Sequence, residues 1–203
     1  ILSTVKEALI DLLILGALQR ENFFKYYLGS IARQITRRAG CSVLLLIKPS
    51  VDRVPCEHIV VNGLADPKTE KTIATAFSVA KDLGARKITI VEEIRQEEVA
   101  VSVDDDRSLR RSRIVKERLK HREESRVNNI ISNLPDHIKS NIQIQSQSIF
   151  GKRGYSIGHY AQVVRADLLV MNGPVKMTFW DRLFPHDIEH ILGELPTDVL
   201  IVQ

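Results

Sequence analysis

Helix-period stripes and short apolar runs of strand length alternate along this chain from its first residue. Ile1, Val5, Ala8 and Leu9 recur at helical spacing and lead into Asp11-Leu-Leu-Ile-Leu-Gly16, which predicts a helix followed by a buried strand stopped by glycine. Leu28, Ile31, Ala32 and Ile35 share one face of a second helix over residues 23–39, with Gly40 where a C-terminal cap belongs. Residues 41–47 are the next buried strand, and two prolines and three charges in residues 48–55 mark a linker.

After the linker a fresh unit begins. Residues 58–61 and 87–91 are strands, joined by a helix over residues 69–83 that ends at Gly84, a crossover long enough for parallel pairing. Residues 104–133 are charged, with Val127, Ile130, Ile131 and Leu134 as an apolar stripe near the end, and predict one long, partly solvated helix. Residues 142–149 alternate apolar and polar like a half-exposed strand. A helix over 155–164, a strand over 166–171, a helix over 187–195 and a strand over 198–202 complete the pattern.

An internal repeat organises these elements. Ile10-Asp11-Leu12-Leu13-Ile14-Leu15 matches Ala166-Asp167-Leu168-Leu169-Val170-Met171, and residues 41–47 match residues 197–202. Asp11 to Val43 and Asp167 to Val199 are both 32 positions apart, so two copies of one βαβ module are present.

Composition narrows the picture. With 203 residues, 44% hydrophobic and 27% charged, the chain is long enough for a sizeable core and has a globular balance. The net charge of +4 is spread over mixed-sign sequence, which argues against a nucleic-acid partner. Cys41 and Cys56 lack metal or disulfide spacing, so a reducing, cytoplasmic setting is expected. No stretch reaches the roughly 18 apolar residues of a spanning helix. Ile1 is not an initiator methionine and opens inside a helix, so a longer parent is expected.

In an open parallel sheet a ligand site lies beyond the carboxyl ends of the strands, where glycine lets backbone approach phosphate and a helix start supplies N–H donors. Gly16 stands there after the first strand, followed by Gln19 and then Gly29-Ser30. This spacing, with Ala32-Arg33 and the strand at Cys41, resembles the closing signature of the universal stress protein family: glycine, two residues, glycine, nine residues, glycine and serine or threonine. Gln19 replaces the middle glycine. The resemblance implies ATP or AMP held at Gly16, Gly29 and Ser30 around Gln19. It also implies a three-layer α/β sandwich with a mostly parallel sheet, of the adenine nucleotide alpha hydrolase-like type, in tandem with an incomplete first unit. Residues 1–50 would be the back half of that first unit, 51–56 a linker and 57–203 a complete second unit. The missing strands would lie upstream of Ile1 or come from a partner chain. In the second unit Asn172, Val175, Pro185 and His186 stand at the four marked positions, and Val61-Asn62-Gly63-Leu64 replaces a strand usually ending in aspartate. That unit is expected to have lost nucleotide, or to bind something else.

Other features have a plain and a functional reading. Gly16 and Gly29 also suit turns and close packing, and Ser30 a cap. Residues 151–159 form a glycine-rich, basic segment opening a helix, so Lys152, Arg153 and Ser156 suit either a phosphate or an empty turn. His186 and His190 are four apart but lack HExxH order and a third ligand, so no metal is expected. Phe179, Trp180 and Phe184 suit a packing cluster, Asp104 to Asp106 a charge complement at a helix start, and the arginine-rich run 107–126 a solvated or partner-facing helix.

No nucleophile, base and orienting group can be assembled, so no enzyme activity is expected. The expected function is a regulatory or sensing module of stress-protein type with a partial nucleotide motif. The alternative is the cytoplasmic regulatory domain of a membrane transporter, a cation/proton antiporter, a cation-chloride cotransporter or an amino-acid permease, tethered to the inner face of the membrane. A basic nucleic-acid binder is the third and least favoured reading. The strands at 43–47 and 199–202 would pair in a homodimer or an internal pseudo-dimer.

Overall fold

A parallel pair of strands needs a crossover, and a helix is the shortest way to make one while covering the sheet face it passes. The structure, a computed structural model, describes residues 1–19, 26–52, 54–99, 105–173 and 187–203, residue 187 by its backbone alone. The first elements are α1 (Leu2–Glu7), β1 (Leu12–Gly16), β2 (Leu18–Gln19), β3 (Tyr26–Tyr27), α2 (Ser30–Arg38) and β4 (Ser42–Leu46). Then come β5 (His58–Asn62), α3 (Thr69–Leu83), β6 (Lys87–Arg95), a 3-10 turn (Gln96–Val99), α4 (Asp106–Ser132) and α5 (Asp136–Lys139). The chain continues through β7 (Gln143–Gly151), α6 (Tyr155–Val163), β8 (Leu168–Asn172), α7 (Asp187–Gly193) and β9 (Asp198–Val202).

Seven strands form one sheet in the order β1-β4-β9-β8-β5-β6-β7. Every pair is parallel except β4 with β9, which run antiparallel with Val43 opposite Ile201 and Leu45 opposite Val199. One face packs Ile73, Ala76, Phe77 and Ala80 of α3 and Val127 of α4 against Ile59, Val61, Leu168 and Val170. The other packs α6 and α7, through Ile157, Ala161, Ile191 and Leu192, against Val60, Leu169, Met171 and Ile201, with Leu28, Val43 and Leu45 in the same cluster. This is a three-layer α/β arrangement.

The sequence repeat has a counterpart in local geometry at a shift of 156 positions, the offset between Asp11 and Asp167. Leu12 pairs with Ser42 as Leu168 pairs with Asp198. Leu9 and Arg165 both take a left-handed backbone, φ 49° and 51°, where α1 and α6 turn into their strands. Across the β4–β9 seam the bonds are reciprocal: Ile47 N–H donates to Asp198 Oδ1 at 2.8 Å, and Gln203 N–H to Ser42 Oγ at 3.4 Å. Such reciprocity is what a two-fold relation between the strands produces.

Several expectations change. The helix expected over 23–39 is confined to Ser30–Arg38. Tyr26–Tyr27 pairs with Leu18–Gln19 as a short antiparallel ladder, and residues 23–25 lie outside the described residues. The backbone of this segment bonds to α7 and the turn that follows it: Leu28 N–H donates to Leu192 O at 3.0 Å and Leu195 N–H to Tyr26 O at 2.9 Å. Gly29, extended at φ −64° and ψ 161°, then starts the helix. The strand expected over 142–149 runs from Gln143 to Gly151, and Ser148, on the same face as Ile142 and Ile144, is buried against β6.

β1 was expected to be buried, and β4 covered on both sides. Instead Leu12 and Ile14 are 44% and 57% exposed, whereas their counterparts Leu168 and Val170 are 5% and 0%. Leu44 and Leu46 are half-buried, while Val43 and Leu45 are fully buried. The reason is geometric: α3 covers β8 and β9, and no described helix lies over the corresponding face of β1.

α4 begins with a capping box. Ser108 N–H donates to Asp105 Oδ1 at 2.6 Å while Asp105 N–H donates to Ser108 Oγ at 3.0 Å; Asp104 lies outside the described residues. Its inner face buries Ser112, Glu123 and Val127, and Arg107, Arg110, Arg111 and Arg118 lie exposed on the outer side.

The unequal covering of the two copies is measurable. Leu168→Ala should cost about 2–5 kcal/mol, the usual range for a buried leucine, and Leu12→Ala about 1 kcal/mol or less. Urea unfolding of the two variants checks this, and equal losses would show that β1 is covered as well as β8.

Candidate functional site

Parallel strands deliver their carboxyl ends to one edge, and β5 and β8 lie side by side while their crossovers leave in opposite directions. A crevice is expected at such a switch point. Here several of the polar groups at the strand ends partner one another. Lys68 Nζ donates to Gly173 O at 3.1 Å, Asn172 Nδ2 to Thr69 Oγ1 at 3.0 Å and Thr69 Oγ1 to Leu64 O at 2.6 Å. Arg126 reaches in from α4 to Gly63 O, and Lys71 caps Gln203 O. Backbone approach is tight: a Cβ at Gly63 would stand 2.8 Å from Ile90 Cγ2, and one at Gly173 2.7 Å from Val202 O. Thr72 Oγ1 and Asn172 Oδ1 are buried there without a partner. Val175, Pro185 and His186, the other second-copy motif positions, lie outside the described residues, as do Phe179, Trp180 and Phe184.

Beside this crevice β6 carries two consecutive acids, Glu92 and Glu93, 1% and 4% exposed. Alternation of the strand sends them to opposite faces. Glu92 accepts from Ser146 Oγ at 2.7 Å and Ser148 Oγ at 2.8 Å on β7. Burial pushes its carboxyl up, the two hydroxyls and the Arg126 guanidinium oppose that, and Glu124 adds to it. Glu93 accepts from Gly154 N–H at 3.0 Å and Ile157 N–H at 2.8 Å, the donors at the start of α6.

That bond bears directly on Lys152, Arg153 and Ser156. At the helix start where an external phosphate was one reading, two N–H donors hold the protein's own carboxylate, a favourable charge for the positive end of a helix. Lys152 points to solvent, and Ser156 packs so closely that a Cβ at Gly151 would lie 2.1 Å from its Oγ. Arg153 lines a small cavity of about 40 Å³ with Glu92, Glu93, Glu98, Arg122 and Glu123, its Nε buried without a partner.

The first copy is more open. Gly16 ends β1 at the sheet edge with nothing within 4 Å of where a Cβ would stand, and Gln19 is exposed on β2. Pairing of Leu18 with Tyr27 and Gln19 with Tyr26 folds the segment back, so that Leu18 Cδ1 would be 3.3 Å from a Cβ at Gly29. Gly29 is the N-cap of α2 and Ser30 its first residue, exposed and without a side-chain cap bond. The four motif residues thus share the carboxyl end of β1. Arg37 of α2 forks onto Glu189 of α7, through Nε at 2.7 Å and Nη2 at 2.6 Å.

Between α6 and α7 lies an open groove of about 620 Å³ lined by Tyr155, His159, Gln162, Glu189, His190 and Glu194. His190 lines this groove, and His186 lies outside the described residues. Among the described residues no group of three metal-ligating side chains comes together. Cys56 is half-buried, and burial, with the Asp167 and Asp198 carboxylates adding, pushes its thiol up to about 11. The sequence reading singled out neither Glu92 nor Glu93. The only available signal was a pair of acids closing an apolar strand run.

No family model matches the sequence, and no curated protein does. Solved structures do match. A universal stress protein from Archaeoglobus fulgidus DSM 4304 superposes with a TM-score of 0.68 at 15% identity over 99% of this chain and 65% of its own. A putative universal stress protein from Pseudomonas aeruginosa UCBPP-PA14 gives 0.61 at 18% identity, over 99% and 66%. UspA from Lactobacillus plantarum gives 0.54 at 12% identity, over 74% of this chain and 100% of its own. The chain therefore has the universal stress protein fold, and it spans about two thirds of the length of the first two structures.

The buried acids make separate predictions. Glu93→Ala leaves two buried N–H groups unpaired and should cost about 3 kcal/mol in thermal or urea unfolding. For Glu92 the folded carboxyl sits above its ordinary value of 4.5. Its contribution is therefore fully present below that value and is lost as pH rises through the folded one. Glu92→Gln, which keeps both serine bonds, should match the parent near pH 4 and exceed it in stability at pH 7. A parent more stable than the variant at pH 7 would show the paired charge to be net favourable.

Proposed function

We propose that this chain is a non-enzymatic regulatory or sensing module of universal stress protein type that acts by contact between protein surfaces, its nucleotide motif being only partial. The observation that carries this is the filling of the switch-point crevice: Lys68 on Gly173 O, Arg126 on Gly63 O and Glu93 on the α6 amides occupy groups that a ligand would use. The raised Cys56 thiol, protonated at neutral pH, adds that this cysteine is a poor nucleophile.

Within this reading residues 1–50 and 57–203 are two copies of one unit, the first incomplete, joined through 51–56. The antiparallel β4–β9 seam would serve as an internal pseudo-dimer contact, with homodimers as its two-chain equivalent. The remaining motif at Gly16, Gln19, Gly29 and Ser30 would accept ATP or AMP only if strands paired along the open edge of β1, because the position that β5 holds beside β8 has no occupant beside β1 among the described residues. A second reading, a regulatory domain attached to a membrane transporter, has one observation in its favour, the cationic outer face of α4. No described helix is long and apolar enough to cross a membrane, so such spans would belong to another segment.

Calorimetric titration of the chain with ATP and with AMP tests the principal reading. Any affinity should be weaker than about 1 mM. Saturable heat at micromolar nucleotide would overturn contact as the working mode.

A further inference from the structure

The outer face of α4 has no part in the contacts described so far. At 100° per residue, Arg107, Arg110, Arg111, Ile114 and Arg118 fall within an arc of about 100°, opposite buried Ser112 and Glu123, and they extend along about 16 Å of helix. No acidic residue of α4 falls in that arc. Asp106 stands just outside the arc at the N-terminal end of the helix and Asp105 caps it, while the other carboxylates nearby are engaged elsewhere: Glu117 with Lys120, Glu124 with His121, and Glu123 with Arg122 and Arg126. Among the described residues none of the four arginines has an ion-pair partner. Residues 107–118 hold six cations against one carboxylate, with Asp104 to Asp106 preceding them, so positive charge gathers on this helix and is not spread along the chain as expected. The charge is a local patch.

We propose that this face docks the module on an anionic lipid bilayer. α4 lies along the membrane plane, the four guanidiniums engage lipid phosphates, and Ile114 enters the boundary between headgroups and acyl chains. Ile114 selects this partner. It is 53% exposed in the middle of the cationic stripe, where a bilayer interface rewards an apolar side chain flanked by arginines. A nucleic acid would satisfy the guanidiniums through its phosphates. It would leave Ile114 without apolar surface, and the stripe offers no aromatic ring on which bases could stack. The capping box and the buried inner face hold the helix as a rod before it meets the surface, so little ordering is needed on binding. The inference needs no attached transporter, and its failure would leave the nucleotide result untouched.

Co-sedimentation of the chain with vesicles is the test. It should bind phosphatidylcholine vesicles containing about 30% phosphatidylserine, ignore pure phosphatidylcholine and be released at about 0.5 M salt. Each arginine is worth roughly fivefold, so the triple variant Arg107→Gln, Arg111→Gln, Arg118→Gln should lose about a hundredfold in partitioning. Its circular dichroism should be unchanged. Ile114→Gln, one exposed substitution that leaves the charges intact, should lose severalfold and serves as the independent check. Absence of vesicle binding, equal binding to neutral vesicles, unchanged binding by Ile114→Gln, or tighter binding to duplex DNA at the same ionic strength would each overturn the proposal.

Discussion

The antiparallel pairing of β4 with β9 is the contact on which the rest of the architecture depends. On one side of it stand only β1 and β4, and a two-stranded ribbon is marginal in water. On the other stand five strands with helices over both faces. Three Cα pairings, Val43 with Ile201, Leu44 with Leu200 and Leu45 with Val199, fuse the small part to the large one. Around that seam α2 and α7 are tied by the Arg37–Glu189 fork and by backbone bonds from Tyr26 and Leu28. The first-copy motif owes its position to this junction, because Gly29 starts α2 only where the preceding backbone has been spent on α7.

The second copy solves a different problem. A crevice at the carboxyl ends of parallel strands exposes helix N-termini and carbonyls that need partners, and a bound ligand is one way to supply them. This protein supplies them from within. Glu93 gives the α6 start a negative charge, Arg126 and Lys68 take strand-end carbonyls, and Ser146 and Ser148 hold Glu92. A crevice organised in this way satisfies its strand-end and helix-start groups from within the fold. Those surfaces are unlike each other: β1 presents an apolar edge, and α4 a line of arginines.

Periodicity and the repeat were enough to place the helices and strands of the second copy, the Gly84 cap and the equivalence of Asp11 with Asp167, because these depend on side-chain pattern and local backbone preference. The partial motif was legible as spacing, since glycines and a hydroxyl at fixed intervals can be counted. What pattern could not separate was an apolar strand that is covered from one that is not. Leu12 and Leu168 sit in nearly identical local sequence and differ ninefold in exposure, 44% against 5%, because a helix more than eighty residues earlier in the chain lies over only one of them.

The same limit applied to charge. Lys152, Arg153 and Ser156 at a helix start suggested a phosphate from local sequence alone, and the carboxylate that takes the helix amides comes from β6, some sixty positions away. Tyr26 and Tyr27 fall inside the helix predicted over 23–39, but they pair with Leu18 and Gln19 of β2. The sequence by itself therefore determined the alternating α/β order and the spacing of glycines and hydroxyls after the first strand, properties of near neighbours along the chain. Only the tertiary structure decided which faces are covered, which helix start is already neutralised and which cations stay unpaired, because each depends on what a distant segment brings within a few ångström.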